Sequence, residues 1–269
     1  MAFWKDTWYF LNSIEHEYKY AGNYGAKGEK RAEKRKPTPE QIKKQNQHNR
    51  EKKMRRLIKA NFLPYDMWTC LKYPKDTRKS TEEYKDDLKK FFASMRYYYN
   101  KAGSKLKFIY RIEIGKSGGI HIHILVNRLR GSTDTDMLIQ KIWKHGTVNF
   151  QSIHEYGGYE KLAEYIVKEP DEEEAEQLSL FPECDRKHYI KYSTSRNLIR
   201  PVPERKKYGH WTMRKILSEG PKPAQGYYID KNSIISGVNR YTGMSYLQYT
   251  EIRINQINTK EIQLAEDTT

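Results

Sequence analysis

Cysteine is scarce in this chain. Cys70 and Cys184 are the two among 269 residues, far apart and in no metal-ligand spacing. That excludes a disulfide scaffold and suits a reducing, cytoplasmic setting. Long apolar runs are missing as well: no stretch is long enough to span a bilayer, and none reads as a secretory signal, so no membrane partner is expected. Acidic residues are outnumbered, with 34 Asp and Glu against 50 Lys and Arg, a net charge of +16. An excess of that sign points to an anionic polymer, most often nucleic acid. A helicase-like ATPase motif is absent. Gly115-Lys116-Ser117 looks like the end of a phosphate-binding loop, but Tyr110 stands where the earlier glycine is required.

Aromatic residues are plentiful. The chain holds 22 tyrosines and 5 tryptophans. Aromatics among basic residues are what unpaired bases stack on, although many must build the core, since other large apolar residues are few.

The stretch that organises the chain runs from Tyr110 to Asn127. Residues 108–114 and 120–126 are rich in Ile, Val, Phe and Tyr and flank Gly115, Gly118 and Gly119, which predicts two strands joined by a turn. In the simplest antiparallel register Ile114 faces Ile120, Glu113 faces His121 and Arg111 faces His123. Paired residues share a face, and so do residues two apart on one strand. Glu113, His121 and His123 then share one face and the intervening aliphatic residues the other. Two imidazoles and a carboxylate make a three-ligand set for a divalent cation with open positions left over. His-Ile-His also fits a strand with a solvated polar face, and a one-residue slip would move the set off Glu113.

Along the chain, residues 1–26 carry aromatics but no assignable fold. Residues 27–59 are strongly basic, and Thr38-Pro39-Glu40-Gln41 predicts a helix start with a capping box, the helix running to about Ala60. This segment reads either as a basic arm along phosphates or as a cationic tail. A strand at 67–73 is expected, then a helix at 81–101 with Tyr84, Leu88, Phe91, Phe92, Met95 and Tyr99 as its apolar stripe. The order strand–helix–strand suggests a crossover back onto one sheet. A helix at 134–145 should turn Met137, Leu138, Ile142 and Trp143 inward and end at Gly146, before a strand at 147–153. Gly157-Gly158 opens a helix that carries Tyr165 and Lys168 on one face, with Lys161 one turn before. A phenol flanked by ammonium groups suits attack on a phosphate. Tyr-x-x-Lys recurs at Tyr24, Tyr98 and Tyr228, but only Tyr165 follows the hairpin on a helix of its own. Residues 171–176 read as a solvated acidic loop. Residues 186–200 turn basic again, with Arg186, Lys191, Arg196 and Arg200 as candidate DNA contacts alongside Lys161 and Arg111, and Ser193, Thr194, Ser195 and Asn197 as phosphate donors. Beyond Pro201 a short helix near 211–218 precedes strand-like residues, with turns at Ser236-Gly237 and Thr242-Gly243. Three segments are expected: an arm over 1–60, a central domain over 61–200 and an extension over 201–269.

His121-Ile122-His123 followed by Tyr165-x-x-Lys168 resembles the HUH endonuclease superfamily, which includes rolling-circle replication initiators and conjugative relaxases. Tyr24–Arg31, Tyr192–Ile199 and Tyr241–Tyr246 look like the replication-associated (Rep) proteins of bacterial mobile elements and plasmids. The resemblance implies an α+β fold, ferredoxin-like or RRM-like, with an antiparallel central sheet. It implies Mg²⁺ or Mn²⁺ held by His121 and His123, Tyr165 as the single nucleophile and Lys168 as the motif lysine; Glu113 as third ligand rests on the register. The first family motif, usually threonine-rich, appears as Trp68-Thr69-Cys70-Leu71-Lys72-Tyr73, a departure that leaves Thr69 without an implied role.

The function expected is nicking and joining of single-stranded or hairpin origin DNA through a 5′-phosphotyrosine, with a host helicase and polymerase as partners. The alternatives are a relaxase or single-strand transposase of the same chemistry, a non-catalytic RRM-like nucleic-acid-binding protein, and a non-haem iron oxygenase, whose ligand set is also two histidines and a carboxylate.

Overall fold

The computed structural model describes residues 2–22, 36–74, 77, 79–114, 119–129, 134–153, 158–170, 172–179, 189, 191–239 and 243–255. Internal contacts divide the chain into two units, residues 46–199 and residues 1–45 with 200–269.

The unit of residues 46–199 is built on a five-stranded antiparallel sheet. Its strands are β3 (Met67–Lys72), β4 (Phe108–Ile114), β5 (Ile120–Val126), β6 (Val148–Ser152) and β7 (Ser193–Thr194), in the order β6-β3-β5-β4-β7. β3 and β4 run parallel with β5 between them, joined by the crossover helix α2 (Thr81–Lys101). β5 and β6 likewise run parallel with β3 between them, joined by α3 (Thr135–Ile142). Two interlocked split βαβ units of this kind are the ferredoxin-like order, so the α+β reading holds and the crossover is where the sequence puts it.

Local chemistry explains the elements. Ser80 caps α2, its hydroxyl accepting from the Glu83 N–H while the Glu83 carboxylate accepts from the Ser80 N–H. Tyr84, Leu88, Phe91, Phe92, Met95 and Tyr99 form the buried stripe, each contributing roughly 2 kcal/mol by leaving water. They pack on Met67 and Leu71 of β3, Phe108, Ile112 and Ile114 of β4, and the even-numbered residues of β5. The other face of the sheet carries Trp68, Ile109 and Leu125. These pack against Met54, Leu57 and Ile58 of α1 (Pro39–Asn61) and Leu162, Ala163 and Ile166 of α4 (Gly158–Val167). α1 opens as expected, with Thr38 and Gln41 in reciprocal hydrogen bonds of 3.2 and 3.3 Å.

Several expectations give way here. Met137 is 67% exposed and Ile139 faces the core in its place, while Leu138 and Trp143 are buried as expected. α3 stops at Ile142, and Gly146 caps no helix: it lies where the chain passes the Lys72 backbone, and a Cβ there would sit 2.1 Å from the Lys72 carbonyl oxygen. Gly146→Ala should therefore force β3 and its neighbouring loop apart and cost about 2 kcal/mol or more, measurable by urea unfolding. The acidic run is not a loop, since α5 (Glu172–Ser179) seats Leu178 in the core. Ser195 and Asn197 are spent inside the fold, Ser195 Oγ accepting from the Phe108 N–H at 3.1 Å and Asn197 Nδ2 donating to the Leu106 carbonyl at 3.0 Å.

The second unit holds the other five-stranded sheet, in the order β8-β1-β2-β10-β9. Its strands are β1 (Ala2–Tyr9), β2 (Ser13–Tyr20), β8 (Glu204–Gly209), β9 (Tyr227–Val238) and β10 (Ser245–Arg253). The expected separate arm and extension thus give way to a joint structure: the first twenty residues supply two strands that the C-terminal segment completes. An exposed hairpin edge is costly, and pairing with β8 and β10 covers both edges. α6 (His210–Glu219) packs Met213 on Phe3, Tyr18, Leu247 and Tyr249. Ser236-Gly237 lies within β9 rather than at a turn. Asp6, 1% exposed, accepts from two of the Arg205 nitrogens at 2.6 and 2.8 Å and pairs with Lys19 at 2.6 Å. No helix among the described residues is long and apolar enough to cross a membrane.

Candidate active site

The β4–β5 register is the expected one, with Ile114 against Ile120, Glu113 against His121 and Arg111 against His123. On the other flank of β5 stands β3, pairing Lys72 with His121 and Cys70 with His123. Two rows of side chains therefore cross one face of the sheet, Lys72–His121–Glu113 and Cys70–His123–Arg111. Thr69 points to the opposite, core-facing side and is buried, so the residue that stands at the motif threonine has no part in this face.

α4 brings Tyr165 over the second row. The Tyr165 hydroxyl donates to Glu113 Oε2 and lies 2.9 Å from His123 Nε2. His123 Nε2 is 3.1 Å from Glu113 Oε2, and Lys168 Nζ is 3.2 Å from Glu113 Oε1 and over the Tyr165 ring, 5.3 Å from its centre. Trp68 stacks on His123 at 5.4 Å and meets Tyr165 edge-on at 5.7 Å, fixing both rings. Tyr159, the other tyrosine of this helix, is turned away, its hydroxyl donating to the Phe62 carbonyl at 3.1 Å.

Arg111 is 1% exposed and not available to DNA. One of its terminal nitrogens donates to the carbonyls of Tyr165, Ile166 and Lys168 at 3.2, 3.2 and 2.7 Å. These carbonyls lie at the C-terminal end of α4, where a positive charge also meets the helix dipole favourably. Its Nε lies 3.6 Å from Glu113 Oε1. Arg111 thus holds Tyr165 and Glu113 in place. Among the other basic residues expected on DNA, Lys161, Lys191, Arg196 and Arg200 are exposed. Arg186 lies outside the described residues, as do the Tyr24–Arg31 stretch and the Gly115–Gly118 turn.

Burial alone would raise the Glu113 carboxyl. Hydrogen bonds from His123 and Tyr165, and the charges of His123 and Lys168, outweigh it and hold the group at about 2. A folded-state value below the ordinary 4.5 means the stabilisation is complete above pH about 4.5 and is lost as pH falls toward 2. It amounts to about 3 kcal/mol, with roughly 2 kcal/mol gone by pH 3. Denaturant unfolding at pH 6 and pH 3 should show that loss, and Glu113→Gln should shrink it correspondingly. The His121 imidazole is lowered by burial and by the Lys72 and His123 charges, which keeps it neutral and able to donate a lone pair. Burial pushes the Cys70 thiol up to about 11.

The ligand atoms of Cys70, His121 and His123 lie within 4.8 Å of one another, a cluster that could hold a metal ion. The His123 nitrogen that faces Cys70 Sγ is Nε2, at 3.9 Å, and the sulfur–nitrogen donor set is one that divalent metals take. The Glu113 carboxylate, expected as third ligand, meets Tyr165, His123 and Lys168, and Cys70 belongs to the cluster. Sequence reasoning missed Cys70 and Trp68 because β3 comes to this face only through the α2 crossover; the alternation Trp68, Cys70, Lys72 was the one local signal. The residues border a cleft of about 250 Å³, with Lys72, Asn149 and Gln151 on its walls. A larger cleft, about 500 Å³, lies in the other unit beside Lys5, His16, Tyr18, Tyr249 and Glu251. There His16 is bonded to Thr7 and Glu251, and Glu251 also accepts the Ala224 N–H.

Fold and site together define an α+β protein whose ferredoxin-like sheet presents two histidines, a carboxylate and a helix-borne tyrosine on one face. Residues 66–170 match a family of replication-associated proteins, the ORF2 type, a span that runs from β3 to just past α4 and takes in each of these side chains. No curated protein and no solved structure gives a significant match. That part of the chain is similar to replication-associated proteins, and the similarity points to a role in DNA replication.

Proposed function

We propose that the protein is a replication initiator of HUH endonuclease type, which nicks and rejoins single-stranded or hairpin origin DNA through Tyr165. The observation that carries this reading is the Tyr165 hydroxyl hydrogen-bonded to Glu113 and His123 at the wall of a cleft that also contains Cys70 and His121. A chain with a charge of +16 supports a polyanionic substrate.

In this reading Tyr165 Oη attacks phosphorus in line as its proton passes to Glu113 Oε2. The P–O3′ bond breaks, and the 3′ oxygen leaves and takes a proton from water. A 5′-phosphotyrosine and a free 3′-hydroxyl result, and the hydroxyl can prime a polymerase. Attack by a 3′-hydroxyl on the phosphotyrosine reverses the exchange: the hydroxyl gives its proton to water, the bond from phosphorus to Tyr165 Oη breaks, the phenolate takes a proton from solvent, and the ends are joined without ATP. Lys168 shares the charge that Glu113 carries and stays close to the tyrosine ring. Arg111 keeps the end of α4 in register. A divalent cation held by His121, His123 and Cys70 would supply Lewis-acid neutralisation of the scissile phosphate. Lys161, Lys191, Arg196 and Arg200 would add salt-dependent affinity for the backbone.

The test uses labelled single strands carrying the origin of the protein's own replicon, with Mn²⁺, Co²⁺ and Zn²⁺ in parallel, run on a denaturing gel. A band that survives denaturation is expected, and proteolysis with mass spectrometry should place the nucleotide on the peptide that contains Tyr165. An adduct on another side chain would move the nucleophile. Tight, salt-sensitive binding with no adduct would favour the non-catalytic binding module.

A further inference from the structure

We infer that Cys70, not Glu113, completes the cation site with His121 and His123, and that the site therefore takes a thiophilic divalent cation such as Zn²⁺ or Co²⁺. This deepens the proposed function by assigning the ligand set of the same cleft. Three geometric facts support it.

Cys70 and His123 are direct partners across β3 and β5, and His121 is two residues from His123 on the same face. The three side chains share one patch of rigid sheet, where backbone pairing fixes their spacing. A tetrahedral ion with bonds of about 2.3 Å to sulfur and about 2.1 Å to nitrogen holds those atoms about 3.6 Å apart. Cys70 Sγ and His123 Nε2 are 3.9 Å apart, and the three ligand atoms lie within 4.8 Å of one another, so small side-chain rotations close the set, with the ion replacing the Tyr165 and Glu113 contacts of His123 Nε2.

Glu113 has other work. It faces His121 in register, yet its carboxylate meets Tyr165, His123, Lys168 and Arg111. Pulling it onto a cation would break its contacts with Tyr165 and Lys168. The division leaves Cys70 to the metal and Glu113 to the tyrosine.

The donor chemistry then selects the ion. Two imidazoles and a thiolate suit Zn²⁺ and Co²⁺, whereas Mg²⁺ and Ca²⁺ prefer oxygen ligands. Binding exchanges the Cys70 thiol proton for the metal–sulfur bond and releases one proton to solvent.

The experiment adds Cd²⁺ or Co²⁺ as probe to the full chain and reads the sulfur-to-metal charge-transfer band, which carboxylate and imidazole ligands do not give. We expect the band at one equivalent in the wild type and in Cys184→Ser, and its loss in Cys70→Ser. Losing partners outside the ligand shell already weakens metal binding by about 10–100-fold, so Cys70→Ser should lose at least that. Glu113→Gln should keep the band and the affinity. In Cys184→Ser, Zn²⁺ should slow alkylation of the remaining thiol, a readout that needs no change at Cys70. A band that persists in Cys70→Ser, alkylation unaffected by bound Zn²⁺, or affinity lost in Glu113→Gln but not in Cys70→Ser would overturn the inference. The adduct gel separates the two readings. Adducts formed equally well by Cys70→Ser, with no charge-transfer band in the wild type, would sink the ligand set and leave nicking standing. A Cys70-dependent band in a protein that forms no adduct would do the reverse.

Discussion

Tyr165→Phe should abolish the covalent DNA adduct while leaving the protein folded and able to bind DNA. Removing the attacking oxygen leaves phosphorus with no nucleophile on this helix, because Tyr159 has its hydroxyl on the Phe62 carbonyl. Loss of a covalent nucleophile typically lowers the rate by on the order of 10⁶-fold. The structural cost is small by comparison. Phe keeps the ring against Trp68 and His123, and Glu113 keeps His123 and Lys168. One hydrogen-bond donor is lost from a partly buried carboxylate, about 1–2 kcal/mol. Denaturing gels on wild type and variant, with circular-dichroism melting alongside, read both quantities. An adduct that survived at even a hundredth of the wild-type rate would show that another group attacks.

Arg111→Met should cost stability on a scale no exposed arginine would. The guanidinium is fully enclosed, satisfies three carbonyls at the end of α4 and balances Glu113. Met fills much of the volume but donates nothing. Breaking a buried ion pair by removing one partner costs about 3–5 kcal/mol. For a unit of this size that corresponds to a fall in melting temperature of roughly 10 °C. Adduct formation should fall further than stability does, since the tyrosine and its carboxylate both lean on this side chain. Lys161→Ala is the contrast. Lys161 is exposed, so its loss should change stability by less than about 0.5 kcal/mol and appear as weaker, less salt-sensitive DNA binding. If Arg111→Met melted like the wild type, the capping contacts would not be made in solution.

Much of this was legible from local chemistry. The alternation of residues 108–114 and 120–126, with glycines between, was enough for the hairpin and its register, because a slip by one would have sent Ile112, Ile114, Ile120, Ile122 and Ile124 to the wrong face. The capping box at Thr38 marked one helix start to the residue. Tyr165 stood out by its place on a helix after the hairpin. What misled was composition. Arg111 reads as a DNA contact by charge alone, and the aromatic first twenty residues read as a featureless arm.

Near neighbours along the chain are enough to specify α2 with its stripe, the β4–β5 hairpin, and Glu113, His121 and His123 on one face. What lies beside them depends on how the elements pack. A strand has two flanks, and the hairpin turn specifies just one. The other flank of β5 is filled by β3, delivered by the 21-residue helix α2, and with it came Cys70, Lys72 and Trp68. In the same way β1 and β2 found β10 and β8 from the far end of the chain, turning two segments into one sheet. Pairings across so many residues leave no periodic trace in the chain, because they rest on edge strands meeting and apolar faces leaving water together.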